Sequence, residues 1–127
     1  MKFIGPSEKI PKPAGPYSPG VKAGDYLFCA GLVGRNPQTG EMGSTIEEQT
    51  RQTLTNLQSI LEAGGASLSQ AVKVTVYLAD LKDFSKMNEE YAKFFPLNPP
   101  ARTTVKAEFP NTRMKIEIDL IAYVGTP

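Results

Sequence analysis

The run from Met114 to Val124 restricts the possible folds of this chain more than any other segment. Ile116, Ile118, Leu120, Ala122 and Val124 fall on one face of a strand, with Glu117, Asp119, Ile121 and Tyr123 on the other. The first face is apolar throughout and has to be covered by other elements. The second begins polar and turns apolar at Ile121 and Tyr123, so part of it also calls for cover.

The remaining segments supply a sheet and two helices. Val72, Val74, Val76 and Leu78 alternate with Lys73, Thr75, Tyr77 and Ala79, the period of a half-buried strand. Gly24-Asp25 reads as the turn of a hairpin joining residues 20–23 to the apolar run 26–33. Thr103 to Glu108 predicts a further strand, with a turn at Pro110-Asn111. A capping box at Ser44-Thr45-Ile46-Glu47 opens a helix with Ile46, Thr50, Thr53 or Leu54, Leu57 and Ile60 or Leu61 on one face, and Gly64-Gly65 ends it. Asp83 is placed to cap a second helix bearing Phe84, Met87, Tyr91 and Phe94 or Phe95, which Pro96 ends. The first twenty residues hold five prolines and three glycines, suiting an extended, turning segment.

Two helices cover only one face of such a sheet. The expectation is therefore an α+β sandwich whose open face is buried by other copies of the chain. With 127 residues, 40% of them hydrophobic, residues 1–127 read as a single domain.

Composition narrows the chemistry. Lys and Arg number 14 against 13 for Asp and Glu, so a net charge of +1 gives no broad attraction to nucleic acid. Met1-Lys2-Phe3-Ile4 is cut off by Gly5-Pro6, which leaves no apolar signal core or membrane span, and a soluble cytoplasmic protein is expected. Cys29, the only cysteine, sits in an apolar run and reads as a buried thiol. There is no histidine, which removes the usual general base and leaves only carboxylates for a metal; no metal site is expected.

Any catalysis therefore falls to arginine, carboxylates, hydroxyls and backbone. Arg102 follows Pro99-Pro100-Ala101 and opens a strand, and its planar fork suits a carboxylate. Taken singly, it reads sooner as a surface or salt-bridging arginine. Glu117, between Ile116 and Ile118, is a proton acceptor if burial raises its pKa, and otherwise a partner for Lys106 or Lys115. Tyr17 is a phenol presented by a rigid loop or a packing residue. Asn88 reads equally as a solvated helix residue.

Gly15-Pro16-Tyr17-Ser18-Pro19-Gly20, the Ala30-Gly31 segment, Asn36-Pro37-Gln38-Thr39-Gly40-Glu41, residues 49–57, residues 72–78, Pro100-Ala101-Arg102-Thr103 and Lys115-Ile116-Glu117-Ile118 together resemble the Rid family, also called YjgF or RidA. The resemblance spans nearly the whole chain. It implies a chorismate-mutase-like (YjgF-type) α+β fold, a mixed sheet with two helices on one face, and a homotrimer with active sites in clefts between subunits. It also implies a cofactor-free 2-iminobutanoate/2-iminopropanoate deaminase, clearing reactive enamines and imines released by pyridoxal-phosphate enzymes such as threonine dehydratase.

Under the resemblance, Arg102 matches the carboxylate-binding arginine and Glu117 the glutamate that positions water. Tyr17, Asn88 and the Ala30-Gly31 segment match residues lining the cleft. Two positions depart from many deaminating members: Thr104 stands where they have cysteine, and Ala30 where they have serine. The Thr104 hydroxyl is expected to hold the water in place of the thiol, whereas Ala30 loses a polar partner. Those departures motivate the alternative of a trimeric regulatory protein that binds small 2-imino or 2-oxo carboxylic acids without turnover. Ribonuclease activity, attached to some members, is disfavoured by the near-neutral charge and missing histidine, and chorismate mutase activity would rest on fold alone.

Overall fold

The apolar run at the end of the chain forms a central strand. In a computed structural model describing residues 1–125, the elements in order are β1 (Lys2–Ile4), β2 (Gly20–Ala23), β3 (Tyr26–Val33), α1 (Ile46–Ala63), β4 (Ala71–Leu78), α2 (Phe84–Phe94), β5 (Ala101–Lys106) and β6 (Ile116–Tyr123), with single 3-10 turns at Leu68–Gln70 and Leu81–Asp83. The six strands make one sheet in the order β1-β2-β3-β6-β4-β5. Every pairing is antiparallel except β4 with β5, which α2 connects. This is the mixed α+β arrangement the sequence predicts, with β5 at one edge; the last two residues of the expected 1–127 span lie outside the described residues.

One face of the sheet carries the core. Leu27, Val74, Val76, Leu78, Ile116, Ile118 and Ala122 are fully buried there, against Leu54, Leu57, Ile60 and Leu61 of α1 and Met87 of α2. Each such side chain contributes about 1.5–3 kcal/mol by leaving water. The opposite face is open in the single chain. Phe28 pairs with Ile121 across β3 and β6 and stays 44% exposed, and Tyr26 packs edge-on against Tyr123 with ring centroids 5.4 Å apart.

Buried amides fasten α1 to its surroundings. The Gln49 side chain donates to the Gly43 and Arg113 carbonyls at 2.7 and 2.8 Å and accepts from the Lys115 N–H at 2.8 Å, joining the helix to the chain entering β6. Asn56 donates to the carbonyls of Val33 and Arg35, where β3 ends.

Several local expectations are corrected. The N-cap of α1 is Thr45, not Ser44: its hydroxyl accepts from the Glu48 N–H at 3.1 Å and donates to the Glu48 carboxylate at 2.9 Å, so the cap sits one residue later than predicted and lacks the return bond of a capping box. Asp83 makes no side-chain cap; Asp80 instead accepts from the Lys82 N–H to start the preceding 3-10 turn. Val72 leaves the apolar face and is 43% exposed, because the register of β4 shifts between Ala71 and Lys73. The strand expected at 103–108 runs from Ala101, held by parallel pairing with β4. β1 was not predicted: three residues carry no readable period, and only the edge of β2 gives them a partner.

Candidate active site

Arg102 belongs to the helix-covered face. It pairs with Val74 and Thr104 pairs with Val76, and neighbours in register share a face, so both point to the side occupied by α2. The prolines before β5 restrict the backbone leading into it. The Arg102 guanidinium carbon lies 4.8 Å from the Tyr91 ring centroid and 5.7 Å from that of Phe84, within range of cation–π attraction. Among the described residues no carboxylate pairs with it.

Phe84, Asn88 and Tyr91 occupy one stripe of α2 at i, i+4 and i+7. Three buried polar atoms in this neighbourhood have no hydrogen-bond partner: Asn88 Oδ1, Tyr91 OH and Thr104 Oγ1. Buried polar atoms are normally satisfied, so unsatisfied ones grouped around an unpaired cation mark a place built for a ligand.

Glu117 lies on the other face. It pairs with Tyr77 and with Val33, alternating with the buried Ile116 and Ile118. A Cβ at Gly31 would stand 2.6 Å from Glu117 Oε2, so glycine is what lets the carboxylate lie against β3. Burial pushes the Glu117 pKa above the ordinary carboxylate value, and the nearby Asp119 charge pushes it further. No hydrogen bond or ion pair engages its carboxylate among the described residues, which sets aside pairing with Lys106 or Lys115. A cavity of about 260 Å³ brings Glu117 together with Tyr17, Gly31, Lys12, Arg35 and Met114. Tyr17 reaches it from the proline-rich loop, its hydroxyl accepting from the Ala14 N–H at 3.2 Å. The Ala30 N–H donates to the Pro19 carbonyl, tying that loop to β3.

The predicted site residues thus form two groups. Arg102, Thr104 and Asn88 gather beneath α2, whereas Tyr17, Gly31 and Glu117 gather at the second cavity, with Ala30 beside them. Within one chain Arg102 and Thr104 do not meet Glu117, which lies on the opposite face of the sheet. Tyr91 and Phe84 were read only as the packing face of a helix; nothing in the spacing reveals that they flank an arginine from a strand. A larger groove of about 590 Å³ between α1 and residues 34–44 contains none of the predicted residues. Among the described residues no group of three or more His, Cys, Asp or Glu side chains is placed to hold a metal ion, and no helix is long and apolar enough to cross a membrane. Cys29 is buried, its pKa pushed up to about 12 first by burial and then by Asp119, which leaves it an inert thiol at neutral pH.

A mixed six-stranded sheet with two helices on one face is the architecture of the YjgF fold. The profile of the family described as Endoribonuclease L-PSP matches residues 7–124, and the chain belongs to this family, in the Rid (YjgF/RidA) group. It is 49% identical over 124 residues to a RutC family protein of Pyrococcus horikoshii, covering 97% of this chain and 98% of the relative. It is 45% identical over 122 residues to Reactive Intermediate Deaminase A, chloroplastic, of Arabidopsis thaliana, covering 95% of this chain and 65% of that protein. The crystal structure of Escherichia coli TdcF with bound serine is similar with a TM-score of 0.91 at 35% identity, covering 98% of this chain and 100% of that one.

Proposed function

We propose that this protein is a 2-iminobutanoate/2-iminopropanoate deaminase, working without a cofactor in clefts between the subunits of a homotrimer. The observation that carries this reading is the Arg102 guanidinium, held by two rings and free of any carboxylate partner among the described residues, with unsatisfied buried polar atoms on the same face of β5 and the same stripe of α2. Such a group takes the carboxylate of a small 2-imino acid by paired N–H···O bonds. The serine bound to TdcF, a small amino acid with the same carboxylate, supports the class of ligand.

The separation of the two groups of residues supports a shared site. Arg102 and Thr104 of one subunit meet Glu117, Tyr17 and the Ala30-Gly31 backbone of the partner subunit, and Asn88 lines the cleft. The partly exposed apolar side chains of Tyr26, Phe28 and Val105 provide surface for that association. Thr104 and Glu117 hold a water against the imine carbon. As its oxygen bonds to that carbon, the C=N π electrons move to nitrogen and Glu117 accepts the water proton. Glu117 passes that proton to the nitrogen, giving a carbinolamine. It then relays the carbinolamine O–H proton to the same nitrogen, so that the C–N electrons leave with ammonia and the C=O of the 2-oxo acid forms. The imine plus water equals the oxo acid plus ammonia, so no oxidant or reductant enters. Most of the acceleration is proximity and orientation.

The test generates 2-iminobutanoate in situ with threonine dehydratase and follows its loss. Arg102→Ala is expected to lower kcat/KM by about 10- to 100-fold, the value of one charge-assisted contact; unchanged activity would sink the assigned role. A second reading, binding without turnover in a regulatory role, is favoured by Ala30, which offers no polar side chain, and by Thr104 in place of a thiol. Saturable binding of 2-oxobutanoate with no acceleration of imine loss would establish it.

A further inference from the structure

We infer that Tyr91 is a ligand-contacting residue of this site: its ring sets the Arg102 guanidinium, and its hydroxyl donates a hydrogen bond to the carboxylate that Arg102 holds. The inference rests on the carboxylate-capture reading above and adds a donor that the sequence motifs do not mark. Tyr91 is 6% exposed, and among the described residues its O–H finds no acceptor; the one polar group engaging its oxygen is the Arg102 guanidinium, which can only donate. A buried O–H left without an acceptor costs about 1–3 kcal/mol, so a tyrosine kept there for packing alone would be better replaced by phenylalanine. The neighbouring Phe95, with its ring centroid 4.6 Å from that of Tyr91, shows that the environment accepts a purely apolar ring.

The nearest charged group explains why the proton stays unclaimed. Arg102 lies over the Tyr91 ring, and a guanidinium has donors but no acceptor. An O–H beside it can donate only to something that arrives, and an anion drawn to the same cation brings acceptor oxygens. Burial raises the Tyr91 pKa by more than Arg102 lowers it, so the phenol keeps its proton at neutral pH. The site then offers the ligand a fork and a hydroxyl for its carboxylate, with Asn88 Oδ1 left to accept from an N–H on the adjacent carbon. That pattern fits a 2-imino or 2-amino acid better than a plain carboxylic acid.

The experiment measures 2-oxobutanoate binding by calorimetry, with a thermal melt of each protein, for wild type, Arg102→Ala, Tyr91→Phe and Tyr91→Leu. Wild type is expected to bind saturably and Arg102→Ala not to bind. Tyr91→Phe keeps the ring over Arg102 and loses only the donor, so it should bind about 10-fold more weakly while melting no lower than wild type. Tyr91→Leu should bind more weakly still. In turnover of 2-iminobutanoate, Tyr91→Phe should raise KM with little change in kcat, a split that a packing role would not produce. Tyr91→Phe binding as tightly as wild type, while Arg102→Ala loses binding, would overturn the role of Tyr91 and leave the carboxylate site intact. A wild type that binds no 2-oxobutanoate would overturn the carboxylate site itself, and this inference with it.

Discussion

Arg102 and Glu117 stand on opposite faces of one sheet. Arg102 is in register with Val74 on the helix-covered side, and Glu117 with Tyr77 on the open side. They are two strands apart, roughly 10 Å across the sheet, and three register positions apart, roughly 10 Å along it. A four-carbon acid cannot touch both within one chain.

The proposed division of the site between subunits therefore predicts complementation. Arg102→Ala and Glu117→Gln proteins, each impaired alone, should regain activity when denatured together and refolded at equal ratio. Random assembly gives an intact arginine facing an intact glutamate at about one interface in four. Recovery near a quarter of wild-type activity is expected; none at all, with trimers confirmed by light scattering, would show that one subunit supplies the whole site.

Glu117 also sets a pH dependence. Its native pKa is raised, so the folded chain binds more protons than the unfolded chain between the ordinary carboxylate value and the native one. Stability from this group is fully present below the unfolded value and falls as pH rises through that window. Activity moves the other way, because the carboxylate must be ionised to accept a proton. The acid limb of kcat/KM should lie above the ordinary carboxylate pKa, and what activity Glu117→Gln retains should lack that limb. A limb unchanged in the variant would assign it elsewhere.

Gln49 predicts a stability effect away from the chemistry. Gln49→Leu would fill the space and leave the Lys115 N–H and the Gly43 and Arg113 carbonyls without their partner. Unpaired buried groups of this kind cost about 1–3 kcal/mol each, so a loss of about 3 kcal/mol or more is expected in urea unfolding. An unchanged midpoint would mean that water replaces the amide there.

Much of this was legible in the chain. The alternation in Ile116, Ile118, Leu120 and Ala122 placed a strand with one buried face, and Ile46, Leu54, Leu57 and Leu61 placed a helix over it, because periodic burial is a local pattern. The cap was misplaced by one residue because Ser44 and Thr45 are equally able to cap, and each has a glutamate three residues on. β1 and the displaced Val72 escaped because both depend on how a neighbouring strand pairs. Arg102 and Glu117 were singled out through their motifs, and their separation onto two faces was not, since motif order carries no information about which side of a sheet a residue occupies.

The sequence by itself determined the strand and helix order from β2 onward, the buried thiol at Cys29, and the absence of histidine chemistry, since these follow from residue type and period. Only the tertiary structure decided that Arg102 lies over Tyr91 and Phe84, that Gly31 makes room for the Glu117 carboxylate, and that the two halves of the candidate site face away from each other. The reason is physical. Periodicity tells each strand which of its residues share a face, but the faces of different strands are matched only when register and crossover join them. Arg102 acquired its aromatic neighbours from a helix that contacts it solely because β4, α2 and β5 close into one parallel unit.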